Sequence, residues 1–406
     1  MYEHARMNAR GNTLDLSLLS LGMGAVLVAQ FFSALADNAV LIVAIAIVKN
    51  AGMAKHVPWL QEAFVVPFIL LAPFSGQIAD GFPKGRVMLV SNILKLAGAL
   101  LMSLGFNPLL AYSLIGVGAT TYSPAKYGIL SQMFAPRLLV RANGMLEGST
   151  IAAILLGVLL GGWLADHSIA WGFGGVIIAY AVATAANLLI PNLAAENPSA
   201  NFSFRFLLSQ FINAIKSLFT DRDARFSLCG TSAFWGSGTS LRLLLFAWVP
   251  VALHIADNET PAKLMGVVSI GIVGGAVLAG LWITLAKVNR VLLGGILLGP
   301  LIVMMSVVTH MTTAVILMAA IGFCGGLFVV PLNALLQERG HRSVGAGSAL
   351  AVQNFCENLT MLIFIGGCSI AISAGASITH TVAGFGIVLL LAICTISIVR
   401  FRGKET

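Results

Sequence analysis

Two charged side chains lie deep inside apolar runs of this sequence. Asp37 is embedded in "FFSALADNAVLIV" (31–43) and Arg242 in "SLRLLLFAWV" (240–249). A charge that faced lipid alone would cost about 3 kcal/mol or more, so each side chain must face a protein interior or a water-filled cavity. The chemistry open to such groups is ion pairing, proton binding or the binding of a charged ligand.

Asp37 and Arg242 are predicted to form an ion pair. Each lies roughly sixteen residues into an apolar run that begins on the cytoplasmic side. At a rise of about 1.5 Å per residue, the two groups reach a similar depth. If the two runs face each other across the halves of the protein, the carboxylate and the guanidinium meet, with Asn38 beside them. We expect this pair to hold a substrate or gate its passage, and to open during function.

A second group of polar residues is predicted nearer the cytoplasmic side. Lys126 lies in "YSPAKYG", Glu147 lies in the next apolar run, and Glu357 lies beside Asn354. A short loop joins the two helices that carry Lys126 and Glu147, so these two side chains are expected to meet. Their role is either substrate binding and gating, or charge neutralisation that sets the register of the helices. Lys95 is expected to extend toward the cytoplasm.

Four aromatic residues stand close to these charges in the sequence: Tyr122, Tyr127, Phe234 and Trp235. They are candidates for a hydrophobic slot that holds an acyl chain. The alternative is ordinary helix packing, which is the commoner role of such aromatic residues.

Membrane helices must position these residues. The chain has 406 residues, of which 58% are hydrophobic and 9% charged, whereas soluble domains carry about 25% charged residues. A chain this apolar cannot cover itself with polar surface, so we expect a polytopic membrane protein. Its first apolar run, 16–48, is too long for the core of a signal peptide.

Twelve apolar runs are long enough to cross a bilayer, which takes about 20 residues of helix. They are 18–48, 60–80, 87–105, 108–133, 141–165, 170–193, 226–253, 262–286, 291–309, 313–337, 345–372 and 379–400. We predict an all-α membrane protein with twelve transmembrane helices in two pseudo-symmetric six-helix bundles. Glycines four apart in "GVLLG" (157–161), "GIVGG" (271–275) and "GFCGG" (322–326) predict close helix packing.

A polar stretch divides the runs into two sets of six. We predict an N-terminal bundle over 1–193, a cytoplasmic linker over 194–225 and a C-terminal bundle over 226–406. "SPAKYGIL" (123–130) is similar to "VPLNALLQ" (330–337). Such similarity between halves is typical of transporters built from repeats, whose binding site lies at the repeat interface.

The linker contains an amphipathic segment, "FSFRFLLSQFINAIKSLF" (202–219). Its apolar residues recur at helical spacing, at 204, 208, 211, 215 and 218. This pattern predicts a helix that lies at the inner membrane surface. The alternative is a docking site for a cytoplasmic partner.

The distribution of Lys and Arg predicts the orientation. With both termini in the cytoplasm, seventeen of the 23 Lys and Arg residues fall on the cytoplasmic side. Only Lys49, Lys55 and Lys263 fall in the outer loops. This is the bias expected of a membrane protein, so the net charge of +8 does not indicate nucleic-acid binding.

Enzyme chemistry is not expected. No glycine-rich loop ends in Gly-Lys-Ser/Thr, and the seven histidines form no i, i+4 pair. The five cysteines fall in apolar segments without paired spacing. We therefore predict no cofactor, no metal site and no catalytic residue, with the cysteines as buried thiols.

The loop "GQIADGFPKGR" (76–86) resembles the loop signature of the major facilitator superfamily. Gly76, Asp80 and Arg86 match the pattern, whereas a glycine replaces the usual basic residue after Asp80. The resemblance implies a major facilitator fold. It assigns Gly76, Asp80, Lys84 and Arg86 to closure of the cytoplasmic side rather than to substrate binding.

Longer segments are similar to the bacterial lysophospholipid transporters, a family within that superfamily. They are "VAQFFSALADNA", "YSPAKYGIL", "ANGMLEGSTIAAILLG", "GTSAFWGSGTSLRLLLFAWVPVAL", "VVPLNALLQERG" and "SVGAGSALAVQNFCEN". By motif match, Asp37, Lys126 and Arg242 take the places of the family's intramembrane charges. Glu147 and Glu357 are similarly placed.

This second resemblance implies a function. Members of the family carry lysophospholipids, chiefly lysophosphatidylethanolamine, from the periplasmic leaflet to the cytoplasmic side of the Gram-negative inner membrane. A separate acyltransferase/acyl-carrier-protein synthetase there restores the missing chain. The resemblance therefore implies a secondary transporter with alternating access and ion-pair gates, and we expect a monomer.

Three other functions compete with this interpretation. A proton-coupled antiporter of drugs or amphiphiles would share the fold and the acidic residue in the first helix. A membrane-embedded acyltransferase would need a catalytic histidine beside an acid, which the spacing of the histidines does not offer. A non-transporting scaffold for the acyltransferase would not explain the intramembrane charges.

Overall fold

The structure is a computed structural model, and it describes residue 18 and residues 20–50, 57–198, 203–255 and 259–402. Within these residues the chain is helical and contains no β-strand. The described part of the chain contains fourteen α-helices: α1 Leu21–Asn50, α2 Val57–Leu70, α3 Ala72–Gly81, α4 Lys84–Ser103, α5 Pro108–Met133, α6 Pro136–His167, α7 Ile169–Asn187, α8 Phe204–Thr220, α9 Arg222–Ala252, α10 Glu259–Trp282, α11 Val291–Met305, α12 Met311–Arg342, α13 Ala346–Ser373 and α14 Ile378–Arg402. A short 3₁₀ helix, Leu285–Arg290, precedes α11.

Most of these helices are long and apolar enough to cross a membrane. Among the described residues, nine meet the length and hydropathy requirements alone, and the bent pair α2–α3 makes a tenth. Helices α5 and α9, with 26 and 31 residues, are also long enough, but they carry more polar side chains. Adding these two gives a set consistent with the predicted twelve, and the all-α membrane fold is confirmed.

The predicted span 60–80 is a broken helix. Helix α2 ends at Leu70, α3 begins at Ala72, and their axes differ by 68°. Pro67 lies inside α2, and a proline follows the first residue of α3. A proline lacks the backbone N–H that would continue the hydrogen-bond ladder of a helix. The chain therefore bends between the two prolines, at the break between α2 and α3.

Side-chain caps explain where several helices begin. The Asn107 side chain accepts hydrogen bonds from the backbone N–H groups of Leu109 at 2.9 Å and Leu110 at 3.3 Å, and α5 follows. Asp221 accepts from Ala224 at 2.7 Å at the start of α9. Each cap satisfies N–H groups that have no partner within the first turn of a helix.

The predicted glycine seams are confirmed as sites of close packing. A Cβ atom added at Gly161 would lie 2.7 Å from Ala39 Cα, so α6 and α1 approach more closely than any side chain permits. Gly271 and Gly326 likewise meet backbone atoms of the opposite helix in the α10–α12 pair. Small residues allow this approach, which gives van der Waals contact between helices in a membrane.

The residues group into two compact units. The first comprises 1–142, 149–218 and 337–354, and the second comprises 143–148, 219–336 and 355–406. In the first unit, α1 packs on α7, and Tyr112 and Tyr180 belong to its apolar core. The predicted boundaries at 193 and 226 stay a prediction, as does the assignment of 194–225 as a linker.

Helix α8 forms as the amphipathic pattern predicts, but with a different buried face. Leu207, Phe211, Ala214 and Leu218 are buried, while Phe204, Leu208 and Ile212 are exposed. Of the residues in the predicted apolar stripe, 211 and 218 are therefore buried, whereas 204 and 208 lie on an exposed apolar face. All five cysteines are free thiols; Cys324 and Cys368 are buried and the other three are half-buried.

Candidate functional site

Asp37 is the centre of a charged cluster inside the first unit. Its Oδ2 lies 2.7 Å from the Lys95 Nζ of α4, and its Oδ1 accepts a hydrogen bond of 2.7 Å from the Tyr180 hydroxyl of α7. Both carboxylate oxygens of Asp37 therefore have partners from the same helical unit. Its neighbour Asn38 donates to the Ala34 carbonyl of its own helix at 2.8 Å.

This geometry corrects one prediction and adds a partner that was not predicted. The cation that contacts Asp37 within its own unit is Lys95, which α4 brings to the same side of α1, whereas the pair with Arg242 stays a prediction. Lys95 does not extend toward the cytoplasm, since it is only 1% exposed and its ammonium points at Asp37. Lys95 and Tyr180 are site residues that the sequence did not single out for function.

Lys95 has further partners around its ammonium group. Its Nζ donates to Ser33 Oγ at 3.0 Å and lies 4.7 Å from the centre of the Tyr122 ring. Ser33 Oγ in turn donates to Asn92 Oδ1 at 2.7 Å. Two helices thus supply these partners to one cation: α1 provides a carboxylate and a hydroxyl, and α5 provides an aromatic face. Tyr122, a tail-slot candidate, packs here as part of this cluster.

Lys126 is held on α5 two residues after Pro124, which lies inside the helix. The Lys126 side chain is buried, and its Nζ lies 4.3 Å from the centre of the half-buried Tyr127 ring. Such a cation–π contact offsets part of the cost of keeping an ammonium group out of water. Tyr127 therefore supports a cation, in addition to its predicted place in a tail slot.

Glu147 lies in the short segment of α6 that packs with the second unit. It is buried, and its Oε1 accepts a hydrogen bond of 3.0 Å from Asn333 Nδ2 of α12. Asn333 was not a predicted site residue. The similarity between "SPAKYGIL" and "VPLNALLQ" would have found it, because Asn333 stands two residues after Pro331 as Lys126 does after Pro124.

The remaining intramembrane candidates occupy α9 and α13. Arg242 has an exposed side chain on α9. On α13, Glu357 is buried, and Asn354 Nδ2 donates to Ser123 Oγ at 3.2 Å. Phe234 and Trp235 pack edge to face with ring centres 5.3 Å apart, and whether they hold a tail stays a prediction.

The loop between α3 and α4 forms a second charged cluster, at the start of α13. Asp80 Oδ1 accepts from the Gly347 N–H and Oδ2 from the Ser348 N–H, both at 2.7 Å. Asp80 Oδ2 also accepts from Ser348 Oγ at 2.7 Å, and Lys84 Nζ lies 2.9 Å from Oδ1. A carboxylate at this end of a helix satisfies free N–H groups and interacts favourably with the helix dipole.

Two glycines make this contact possible. A Cβ atom at Gly76 would lie 2.6 Å from Ser348 Cα, and Gly345 has a φ of +98°, which favours glycine. A Cβ atom at Gly345 would also collide with the Asp80 carboxylate. The structure thus unites Gly76, Asp80 and Lys84, whereas Arg86 has an exposed side chain.

Glu196 completes this second cluster and was not predicted. Its Oε2 accepts from the Ala346 N–H at 3.0 Å and lies 3.4 Å from Lys84 Nζ. Its Oε1 lies 2.6 Å from His341 Nδ1. Burial alone would raise the pKa of the Glu196 carboxyl, but the Lys84 ammonium and the hydrogen bond from His341 outweigh it and lower the pKa below its ordinary value.

Comparisons with known proteins extend these observations. Two curated proteins, from Yersinia pestis (strain Pestoides F) and Yersinia pseudotuberculosis serotype O:3 (strain YPIII), are 53% identical to this chain over 365 residues. In each case the match covers 90% of this chain and 90% of the relative. Both relatives are named lysophospholipid transporter LplT, which agrees with the expectation of a transporter rather than an enzyme.

Solved structures agree on the fold. The human organic anion transporter MFSD10 (TETRAN) matches with a TM-score of 0.75 and 14% identity, covering 92% of this chain and 99% of that one. The transporter FucP in its outward conformation matches with a TM-score of 0.70 and 14% identity, covering 93% and 98%. The family model described as Major Facilitator Superfamily matches residues 26–365. The chain is therefore a multi-pass membrane transporter that belongs to the major facilitator superfamily.

Proposed function

We propose that this protein carries lysophospholipids, chiefly lysophosphatidylethanolamine, from the periplasmic leaflet to the cytoplasmic side of the Gram-negative inner membrane. The observation that carries the proposal is 53% identity over 90% of the chain to relatives named lysophospholipid transporters. A cytoplasmic-side acyltransferase would then replace the missing acyl chain. Both termini lie in the cytoplasm in this proposal, as the distribution of Lys and Arg predicts.

The polar head group sets the energetic problem for this transport. Moving a zwitterionic head through hydrocarbon requires desolvation of both charges, whereas the single acyl tail is compatible with lipid throughout. Protein groups of opposite charge can replace the lost water. The tail then follows through apolar surface, for which Phe234 and Trp235 remain the candidates.

Arg242 is the residue proposed to bind the phosphate. Its side chain is exposed, whereas Lys126 is buried against the Tyr127 ring. A guanidinium presents two parallel N–H donors to phosphate oxygens, and such charge-assisted hydrogen bonds are among the stronger polar contacts. Asp37, whose side chain is 19% exposed, is proposed to receive the ammonium.

The cluster at the start of α13 is proposed as the cytoplasmic gate. Asp80 and Glu196 accept hydrogen bonds from three successive N–H groups of α13, from Ala346 to Ser348. Release of these contacts would free the start of α13 from the loop that follows α3. Alternating access in transporters of this kind proceeds by rearrangement around a central site.

Arg242→Ala tests the assignment of the phosphate site. We expect uptake of labelled lysophosphatidylethanolamine into spheroplasts to fall at least about tenfold, because a charged hydrogen bond to the head group is lost. Arg205→Ala removes an exposed arginine on α8 and serves as the matched control. Amounts of each variant in the membrane and elution on size exclusion report folding. Normal uptake by a folded Arg242→Ala variant would refute the phosphate role.

An antiporter of cationic drugs is the second candidate. The partly exposed Asp37 carboxylate in α1 favours it, since a carboxylate at membrane depth binds cationic ligands as well as ammonium head groups. The melting temperature of the purified protein discriminates the two. An increase with lysophosphatidylethanolamine but not with cationic drugs supports the lipid carrier, and the reverse supports the antiporter.

A further inference from the structure

The residues behind Asp37 are almost completely buried, while Asp37 itself is open on one side. Side-chain exposure is 2% for Lys95 and 19% for Asp37, and Tyr180 is 0% exposed. Lys95 and Tyr180 each contact one oxygen of the carboxylate. Part of the Asp37 surface is therefore uncovered, whereas its two partners are covered.

The carboxylate has capacity for another ligand. Its two oxygens offer about four lone-pair positions, and Lys95 and Tyr180 use two of them. A primary ammonium has three donors and binds such a carboxylate without displacing Lys95. The cluster is thus suited to a ligand with an ammonium group, which lysophosphatidylethanolamine has and lysophosphatidylglycerol lacks.

Lys95 does not itself offer a binding position. Its donors are directed at Asp37 Oδ2 and Ser33 Oγ, and its ammonium lies on the Tyr122 ring. At 2% exposure it has little surface for a phosphate to approach. Its effect on a substrate must pass through Asp37, whose negative charge it stabilises away from water.

We propose that Lys95 and Tyr180 are positioning residues for head-group selection, which hold the Asp37 carboxylate oriented so that its open side takes an ammonium. The inference rests on the proposed function, because it requires that Asp37 meets the head group. It assigns the preference for ethanolamine lipids to two residues that do not touch the lipid.

The test compares two lysophospholipids with the same acyl chain. Uptake of lysophosphatidylethanolamine and lysophosphatidylglycerol is measured in competition, so that the ratio of their kcat/KM values reports the head group alone. Lys95→Met removes the ammonium and keeps a flexible stem, and Tyr180→Phe removes only the hydroxyl. We expect each of these two substitutions to lower the ratio of kcat/KM for lysophosphatidylethanolamine to that for lysophosphatidylglycerol by about tenfold, as for loss of a hydrogen bond to a charged group.

Tyr112→Phe is the matched control. Tyr112 is a buried tyrosine of the same core, stacked on Phe64 with ring centres 5.1 Å apart. It undergoes the same chemical change as Tyr180→Phe, and we expect it to leave the ratio unchanged. A general loosening of this core would move the ratio in both tyrosine variants, which would contradict the proposal.

Lys95→Met leaves a buried carboxylate without its cation and can fail to fold. The double variant Asp37→Asn/Lys95→Met removes both charges and keeps the inference testable, since no charge is left uncompensated. We expect it to fold and to transport both lipids with no preference for the ammonium. Retention of the wild-type ratio in Tyr180→Phe or in the double variant would overturn the inference.

Failure of the proposed function would give a different experimental result from failure of the inference about head-group selection. If the wild-type protein takes up neither lysophospholipid, the proposed function fails. If it takes up both with equal kcat/KM, or if its preference survives the substitutions at Lys95 and Tyr180, only the inference about head-group selection fails.

Discussion

Asp37 and Lys95 neutralise each other at a depth where neither charge could remain alone. Their 2.7 Å separation and the Tyr180 hydrogen bond fix the carboxylate within one unit. Breaking such a pair by removing one member costs about 3–5 kcal/mol for a buried site, and less where one member is partly exposed as Asp37 is. The pair therefore supports the fold and also leaves one side of Asp37 open.

The functional role of Asp37 stays a prediction, and the cation that it contacts within its own unit could not be predicted from the sequence. Depth along a helix follows from residue counting, which placed Arg242 level with Asp37. Direction around the helix axis does not follow from counting, and it is α4 that brings Lys95 to Asp37. The four-carbon stem of a lysine also spans a difference in depth, so a cation assigned to the membrane surface reaches the interior.

Glu196 makes a pH-dependent contribution to stability. Because its pKa is lowered in the folded state, the contribution is fully present above its ordinary value of 4.5 and is lost as the pH falls toward the folded-state value. Glu196→Gln should therefore lower the melting temperature at pH 7, and this difference should shrink below pH 4.5. Thermal unfolding of the two purified proteins between pH 7 and pH 3 measures it.

A constant difference across that pH range would show that the Glu196 carboxylate is not stabilised by its neighbours. Asp221→Asn provides a control carboxylate, which caps α9 and does not belong to this cluster.

At the scale of elements, the start of α13 is bound by side chains from α3 and from the segment after α7. Asp80 and Glu196 satisfy N–H groups of α13, and the absence of a side chain at Gly76 lets α3 approach Ser348. The loop signature predicted that Asp80 and Lys84 act together. It could not predict Glu196, because the contact depends on how the chain after α7 folds back.

Gly76→Ala tests this close approach. A Cβ at this position would lie 2.6 Å from the Ser348 backbone, so α3 and α13 must separate. Overpacking of this kind costs about 1–3 kcal/mol. In a cysteine-free background carrying Ser348→Cys, we expect faster alkylation of that cysteine by a reagent added from the cytoplasmic side.

Gly24→Ala is the control for the same substitution, because a Cβ there meets no atom within 4 Å. Equal alkylation rates in the two alanine variants would contradict a gate held by contact between α3 and α13.

At the scale of the whole molecule, family membership and composition point to the same kind of protein. Apolar helices and glycine seams predicted the membrane fold well, because both follow from the bilayer as solvent. The orientation that the Lys and Arg residues indicate stays a prediction. The break between α2 and α3 was missed, since prolines do not always break a membrane helix. A zwitterionic substrate gains little from the membrane potential, so transport without an ion gradient is physically reasonable.

Measuring the transbilayer movement of lysophosphatidylethanolamine in proteoliposomes tests the proposed lipid transport most directly. Labelled lipid is added to the outer leaflet, and extraction by albumin reports how much remains there. We predict that vesicles with the purified protein make the lipid inaccessible to albumin much faster than empty vesicles, and that diacyl phosphatidylethanolamine is not moved. Equal rates in protein-containing and empty vesicles would contradict the account.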